Sequence, residues 1–166
     1  PEAGNIGGGG FMMIHPGPKA SPICIDYRET APAAASVKMF QLGQSHLGHR
    51  MVGVPGTVRG LALAHRRFGV RPWKTLVMPA VKLAQTGFEV DQALASSLNR
   101  ILRSAGSSRF EELQRVFKPP HGKEWRKGDR LIQKDLAGTL SRIAEEGADG
   151  FYGGRTASLI EAEMNA

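Results

Sequence analysis

Gly7-Gly8-Gly9-Gly10-Phe11-Met12-Met13-Ile14 and, after a turn, Ile23-Cys24-Ile25-Asp26-Tyr27-Arg28 are the residues that decide the fold. Phe11 to Ile14 is apolar at every position, the pattern of a strand covered on both faces. Residues 15–21 are rich in Pro and Gly and read as a loop. Ile23, Ile25 and Tyr27 then alternate with Cys24, Asp26 and Arg28, which is the period of a strand with one apolar and one more polar face. Two strands joined by a short loop predict a hairpin, with Asp26 and Arg28 on one side. Two strands do not make an independent sheet. A doubly apolar strand therefore calls for partner strands from another segment.

Downstream the pattern becomes helical. Pro32 followed by Ala33, Ala34 and Ala35 predicts a helix start with proline in its first turn. Residues 43–53 read as a glycine- and histidine-rich loop. Thr57, after Pro55-Gly56, is placed as the N-cap of a helix that ends at Gly69. Its apolar face is Leu61, Ala64, His65 and Phe68, with Arg59, Arg66 and Arg67 toward solvent. Trp73, Leu76, Val77, Ala80, Val81 and Ala84 form a second stripe at helical spacing, closed by Gly87. Pro79 predicts a kink or break within it. Asp91 caps a helix bearing Leu94, Leu98, Ile101 and Leu102. Residues 104–108 form a linker, residues 110–117 a short helix, and residues 119–127 a polar loop. Asp135 caps a helix carrying Leu136, Leu140, Ile143 and Ala144 that ends at Gly147, and a last helix covers residues 155–164. The fold class is mixed α/β of the α+β kind: a β-hairpin over residues 1–30, then a mostly helical part over 31–166. All 166 residues are read as one partial domain.

Hydrophobic residues make up 41% of the chain, enough for a globular core. No apolar run approaches the ~20 residues of a bilayer-crossing helix. The chain opens on Pro1-Glu2 and reads as a fragment or a processed piece. The lone cysteine, Cys24, excludes an internal disulfide and any multi-thiolate metal site, and is placed in the core. The net charge is +7; residues 31–90 carry eight Lys/Arg against Glu89 alone, and residues 131–166 carry three against six acidic. The basic side chains are scattered along amphipathic helices without interleaved aromatics, so no nucleic-acid partner is expected.

Several residues are candidates for chemistry. The glycine run could converge backbone N–H groups on an anion, but it fits neither nucleotide-loop pattern and a strand follows it; close backbone approach is the favoured reading. His46 and His49 at i, i+3 suit a shared metal only on a helix, which Gly43 and Gly48 argue against. No metal and no cofactor is expected. His65 is placed as a part-buried histidine with its polar needs met. There is no GxSxG and no Cys–His pairing, so no catalytic nucleophile is assigned. Arg28, at a strand end, has two readings. Its planar fork suits a carboxylate ligand, but on chemistry alone a structural salt bridge to Asp26 or Glu29 is the favoured reading.

Taken in order, these segments resemble the γ-glutamyltranspeptidase family. The resemblance rests on Gly4-Asn5-Ile6-Gly7-Gly8-Gly9-Gly10-Phe11-Met12, Asp26-Tyr27-Arg28-Glu29-Thr30-Ala31-Pro32 and Val52-Gly53-Val54-Pro55-Gly56-Thr57-Val58-Arg59-Gly60. It continues through Pro79-Ala80, Gly87-Phe88, Ile143-Ala144-Glu145-Glu146-Gly147-Ala148-Asp149 and Phe151-Tyr152-Gly154, in register over essentially the whole chain. It implies an N-terminal-nucleophile hydrolase with a four-layer αββα fold, of which this chain is an incomplete, internal part of the large-subunit region. It implies a precursor that cuts itself to free a threonine nucleophile on a small subunit. That threonine's Thr-Thr-His-x-Ser setting is absent here, since no histidine follows a threonine. The implied chemistry is transfer of a γ-glutamyl group, from glutathione or a related amide, to water or an amino-acid acceptor through a threonyl acyl-enzyme. Arg28 is then the ligand of the γ-glutamyl α-carboxylate, and Glu29 a weaker candidate that orients it. The implied location is periplasmic, secreted or surface-bound. Two rival readings stand: a cephalosporin-acylase-like or poly-γ-glutamate-cleaving amidase of the same superfamily, and a non-catalytic basic anion-binding module.

Overall fold

The computed structural model describes residues 4–40, 48–104 and 106–165. Along them run β1 (Phe11–Ile14), β2 (Ile23–Asp26), α1 (Thr57–Phe68), α2 (Trp73–Thr86), β3 (Phe88–Glu89), α3 (Gln92–Leu102), α4 (Glu111–Val116), β4 (Arg130–Leu131), α5 (Lys134–Glu146), α6 (Asp149–Tyr152) and α7 (Gly154–Met164). The mixed class, a small hairpin followed mostly by helices, is the one the sequence pattern predicts. The chain divides into two compact units, Pro1–Trp73 with Glu145–Ala166, and Lys74–Ala144.

In the first unit β1 and β2 pair antiparallel, with Met12 opposite Ile25 and Met13 opposite Cys24. Opposed residues share a face, so Ile25 is buried on one side while Phe11, Met13 and Cys24 lie exposed on the other. Cys24 was expected in the core; its place opposite Met13 puts it on the open face instead. The ladder runs one pair further, with Tyr27 N–H donating to the Gly10 carbonyl at 2.9 Å and Gly10 N–H to the Tyr27 carbonyl at 3.3 Å. A Cβ on Gly9 would lie 2.4 Å from the Tyr27 carbonyl oxygen, so the glycine run serves close backbone approach.

Residues 31–40 are not helical. Ala35 N–H bonds the Pro32 carbonyl and Met39 N–H the Ser36 carbonyl, two successive turns. A short helix persists when it buries an apolar face, and the only large aliphatic side chain here, Val37, is fully exposed. Gly43 and His46 of the expected loop lie outside the described residues.

Thr57 is not the N-cap of α1 but its first helical residue, after Gly56. The Gly8 carbonyl accepts from both Gly56 N–H (2.9 Å) and Thr57 N–H (3.0 Å), and the Thr57 hydroxyl donates to the Asn5 carbonyl at 3.0 Å. The glycine run thus takes up donors that a helix start leaves unpaired. The buried positions of α1 are Val58, Gly60 and Ala62, and Leu61, expected inside, is exposed. The cause is Gly60: a Cβ there would sit 2.3 Å from the Tyr27 Cβ, so the bare helix surface admits the tyrosine and turns this side inward. Arg59, Arg66 and Arg67 are exposed as expected. His65 is half-buried, with Nε2 2.7 Å from the Arg71 carbonyl and its ring edge-on to Trp73. Gly69 ends the helix as expected, through its N–H to the His65 carbonyl. The short α6 had no counterpart in the sequence reading.

In the second unit α2 passes through Pro79 without a break. Thr75, whose carbonyl loses its partner at Pro79, is exposed, as is Pro79, so water can take that acceptor. Val81 and Ala84 are the buried part of the stripe, and Leu76 is exposed. Gly87, at φ +76°, closes the helix with its N–H on the Leu83 carbonyl. Asp91 caps α3 as expected, accepting from Leu94 N–H at 2.7 Å. The core comprises Val90, Ala95, Leu98, Trp125 and Leu131, with Leu94, Leu102 and Phe117 packed against it. Trp125 lies in the stretch expected to be a polar loop, yet it is buried and donates from Nε1 to the Phe117 carbonyl at 2.8 Å. The β3–β4 pair, Phe88 opposite Leu131, was not anticipated, since two-residue strands carry no period. Asp135 sits inside the first turn of α5 rather than at its cap, and its carboxylate accepts from Arg115. Among the described residues no helix is long and apolar enough to cross a membrane.

Candidate functional site

The chain leaving β2 is fixed at three successive places. Tyr27 pairs with Gly10, the Asp26 carboxylate accepts Arg28 N–H at 2.9 Å, and Thr30 exchanges backbone bonds with Val54 at 3.1 and 2.8 Å. Arg28 and Glu29 thus stand on a backbone held on both sides. Of the two acids weighed as partners for Arg28, Asp26 is spent on the backbone, and Glu29 makes the ion pair, with Oε2 3.1 Å from Nε. The Arg28 side chain is 61% exposed and that of Glu29 31%.

The pair is an electrostatic contact rather than an aligned hydrogen bond, because the buried Oε2 accepts none. The glycines make room for Glu29. A Cβ on Gly53 would meet the Glu29 Cβ at 2.9 Å, and one on Gly8 would meet Oε1 at 3.3 Å. Glu29 is the one acidic partner given for the Arg28 side chain among the described residues. Two parallel N–H donors on a fixed stem can receive a carboxylate bidentately.

Arg28 opens on a cavity of about 290 Å3 whose walls include Asp26, Tyr27, Arg59, Leu63 and Tyr152. The Arg59 guanidinium lies over the Tyr152 ring, 4.4 Å from its centroid. The Tyr152 hydroxyl donates to the Pro55 carbonyl at 2.8 Å and accepts Arg59 N–H at 3.2 Å. Sequence reasoning placed Arg59 on a solvent face and gave Tyr152 no role. The two residues are 93 apart, so no local pattern links them.

A second cavity of about 590 Å3 belongs to the Lys74–Ala144 unit and is lined by Arg115, Ile132 and the start of α5. Its arginine bridges Glu112 and Asp135 at 2.8 and 2.7 Å. The hydrogen bond from Arg115 holds the Glu112 carboxyl below its ordinary range, and Arg115 itself is pushed up by its bonds to the two acids. This arginine is engaged twice over, so the cluster is structural in character. His49, the describable half of the histidine pair, lies 3.4 Å from Glu163 Oε1.

The γ-glutamyltranspeptidase family model matches residues 1–166. The chain is 43% identical over 172 aligned positions to the glutathione hydrolase proenzyme of Pseudomonas aeruginosa, covering 99% of the chain and 29% of that relative. It is 41% identical over 171 positions to the glutathione hydrolase proenzyme of Escherichia coli, again 99% and 29%. The crystal structure of Helicobacter pylori γ-glutamyltranspeptidase superposes with a TM-score of 0.90 at 36% identity, over 98% of this chain and 48% of that one. The chain thus spans less than a third of the length of these curated relatives.

Proposed function

This chain belongs to the γ-glutamyltranspeptidase family, and from that premise we propose that it is the substrate-gripping part of a γ-glutamyltransferase or glutathione hydrolase. The observation that carries the proposal is Arg28. Its backbone is anchored just past the end of β2, its Nε lies 3.1 Å from Glu29, and the residue lines a cavity. A γ-glutamyl compound presents a free α-carboxylate, which matches that fork. The reaction is acyl transfer from a γ-amide such as glutathione to water or an amino acid. A threonine on a partner small subunit, produced by self-cleavage of the precursor, is the nucleophile. Its own amine is the base.

Arg28 supplies binding and orientation rather than bond breaking. Glu29 holds the fork in place. Its buried Oε2 lacks a hydrogen bond and is therefore held by the guanidinium charge itself. Loss of a charge-assisted contact of this kind costs roughly 1.5–3 kcal/mol of binding.

The test is turnover of a chromogenic γ-glutamyl anilide by the full-length protein, with and without Arg28→Ala. Turnover with a KM raised by about tenfold or more in the variant is the expected result. A self-cleaved protein that leaves γ-glutamyl amides untouched would replace this reading with an amidase of another specificity.

A further inference from the structure

The Arg28 cavity holds a second guanidinium, and its state differs from the first. Arg28 is paired with Glu29. Arg59, in the same cavity wall, has no acidic partner among the described residues. It is nonetheless held: its guanidinium rests on the Tyr152 ring at 4.4 Å, and its backbone N–H bonds the same tyrosine's hydroxyl at 3.2 Å. That hydroxyl is fixed in turn to the Pro55 carbonyl at 2.8 Å. A stacked, positioned arginine keeps its outward N–H edge for an anion, and its placement costs little entropy on binding.

Among the described residues the one carboxylate in the wall, that of Asp26, accepts the Arg28 backbone N–H. Two guanidinium groups thus line the cavity, Arg28 paired with Glu29 and Arg59 without an acidic partner among the described residues. At about 290 Å3 it lies at the lower end of the sizes usual for small-molecule sites.

We infer that Arg59 is a specificity-determining residue for γ-glutamyl peptides whose far end bears a free carboxylate. This rests on the reading of Arg28 as the α-carboxylate ligand and adds a second anionic contact to it. Arg28 takes the γ-glutamyl end, Arg59 the carboxylate of the leaving peptide, and Tyr152 is the positioning residue that aims Arg59. A carboxylate next to a guanidinium without an acidic partner gains a charge-assisted hydrogen bond that a C-terminal amide does not.

The experiment compares kcat/KM of the full-length protein for glutathione and for its C-terminal glycinamide, using wild type, Arg59→Ala, Arg59→Lys and Tyr152→Leu. The expected result is a preference of about tenfold for the free carboxylate in wild type, collapsing toward parity in Arg59→Ala. Arg59→Lys should restore part of the preference. Tyr152→Leu should weaken it, with the change carried by KM. A wild type that treats both substrates alike, or an unchanged ratio in Arg59→Ala, overturns the role of Arg59 while leaving γ-glutamyl turnover and Arg28 intact. Absence of turnover with either substrate overturns the underlying reading as well.

Discussion

The Tyr152 hydroxyl donates to the Pro55 carbonyl at 2.8 Å, joining residues 97 apart in the chain. The same oxygen accepts the N–H of Arg59, the third residue of α1. An N–H in the first turn of a helix has no intrahelical partner, so a tyrosine from the far end of the chain completes the start of α1. The sequence pattern assigned that task to Thr57, whose hydroxyl in fact donates elsewhere.

Tyr152→Phe removes both bonds and keeps the ring. The loss corresponds to one helix-cap contact together with a partly buried carbonyl left without its donor, about 1–2 kcal/mol. Chemical denaturation of the full-length protein should show a lower midpoint at unchanged slope, equivalent to a stability loss of that size. An unchanged midpoint would mean that water replaces the hydroxyl at both positions.

Gly60→Ala sets two effects against each other. Alanine inside a helix is favoured over glycine by about 1 kcal/mol. The added Cβ, however, would meet the Tyr27 Cβ at 2.3 Å, and both residues sit where the strand end is clamped. Overpacking of this kind costs typically 1–3 kcal/mol. Since the clash is with the root of a side chain, not its flexible tip, the clash wins. The variant should be less stable, and because Tyr27 precedes Arg28, its KM for γ-glutamyl substrates should also rise. A stabilised variant would show that Tyr27 can shift freely.

Much of this could be read from residue types. The hairpin follows from alternation at Ile23 to Arg28, and the α3 cap at Asp91 from a single side chain three residues from its donor. Arg28 is singled out as a ligand by the family resemblance, since on residue type alone a structural salt bridge is the favoured reading. The failures share a cause. Thr57, Leu61, Cys24 and the stretch after Pro32 each obey local preference in the sequence, and each is decided by what packs on it or fails to: Gly8 for Thr57, Tyr27 for Leu61, the open side of the hairpin for Cys24 and the exposed Val37 for the last. Arg59 and Tyr152 were invisible as a pair for the same reason.

Asn99 and Trp125 give a prediction confined to the Lys74–Ala144 unit. The Asn99 amide donates to the Trp125 carbonyl at 2.9 Å and accepts its N–H at 2.8 Å, so one side chain from α3 replaces a strand neighbour for the loop that carries the tryptophan. Asn99→Ala should cost about 1–3 kcal/mol, since two part-buried backbone groups lose their partner. Trp125→Ala should cost more, about 3–5 kcal/mol, because it empties the centre of the core. Thermal or denaturant unfolding checks the order, and a larger loss for Asn99→Ala would reverse it.

Glu112 donates no proton to the Arg115 contact; its two oxygens accept from Nε and Nη2 at 2.9 and 2.8 Å. The hydrogen bond and charge of Arg115 favour the ionised carboxyl, and they outweigh desolvation and the nearby Asp135, so its folded pKa lies below the ordinary value of 4.5. A group depressed in the folded state contributes stability that is present above its unfolded pKa and is lost as pH falls through the folded one. The contribution should therefore be intact at neutral pH and fade only in the acid range below about 4.5, a small effect because the pair is open to solvent. Carboxyl chemical shifts followed by NMR should give Glu112 a midpoint below those of unpaired glutamates in the same chain, moving up to join them in Arg115→Ala. Because Arg115 also bonds Asp135, that variant should leave the start of α5 less well tied, seen as faster amide exchange there. A Glu112 midpoint that stays put when Arg115 is removed would mean that the arginine is not the cause of the shift.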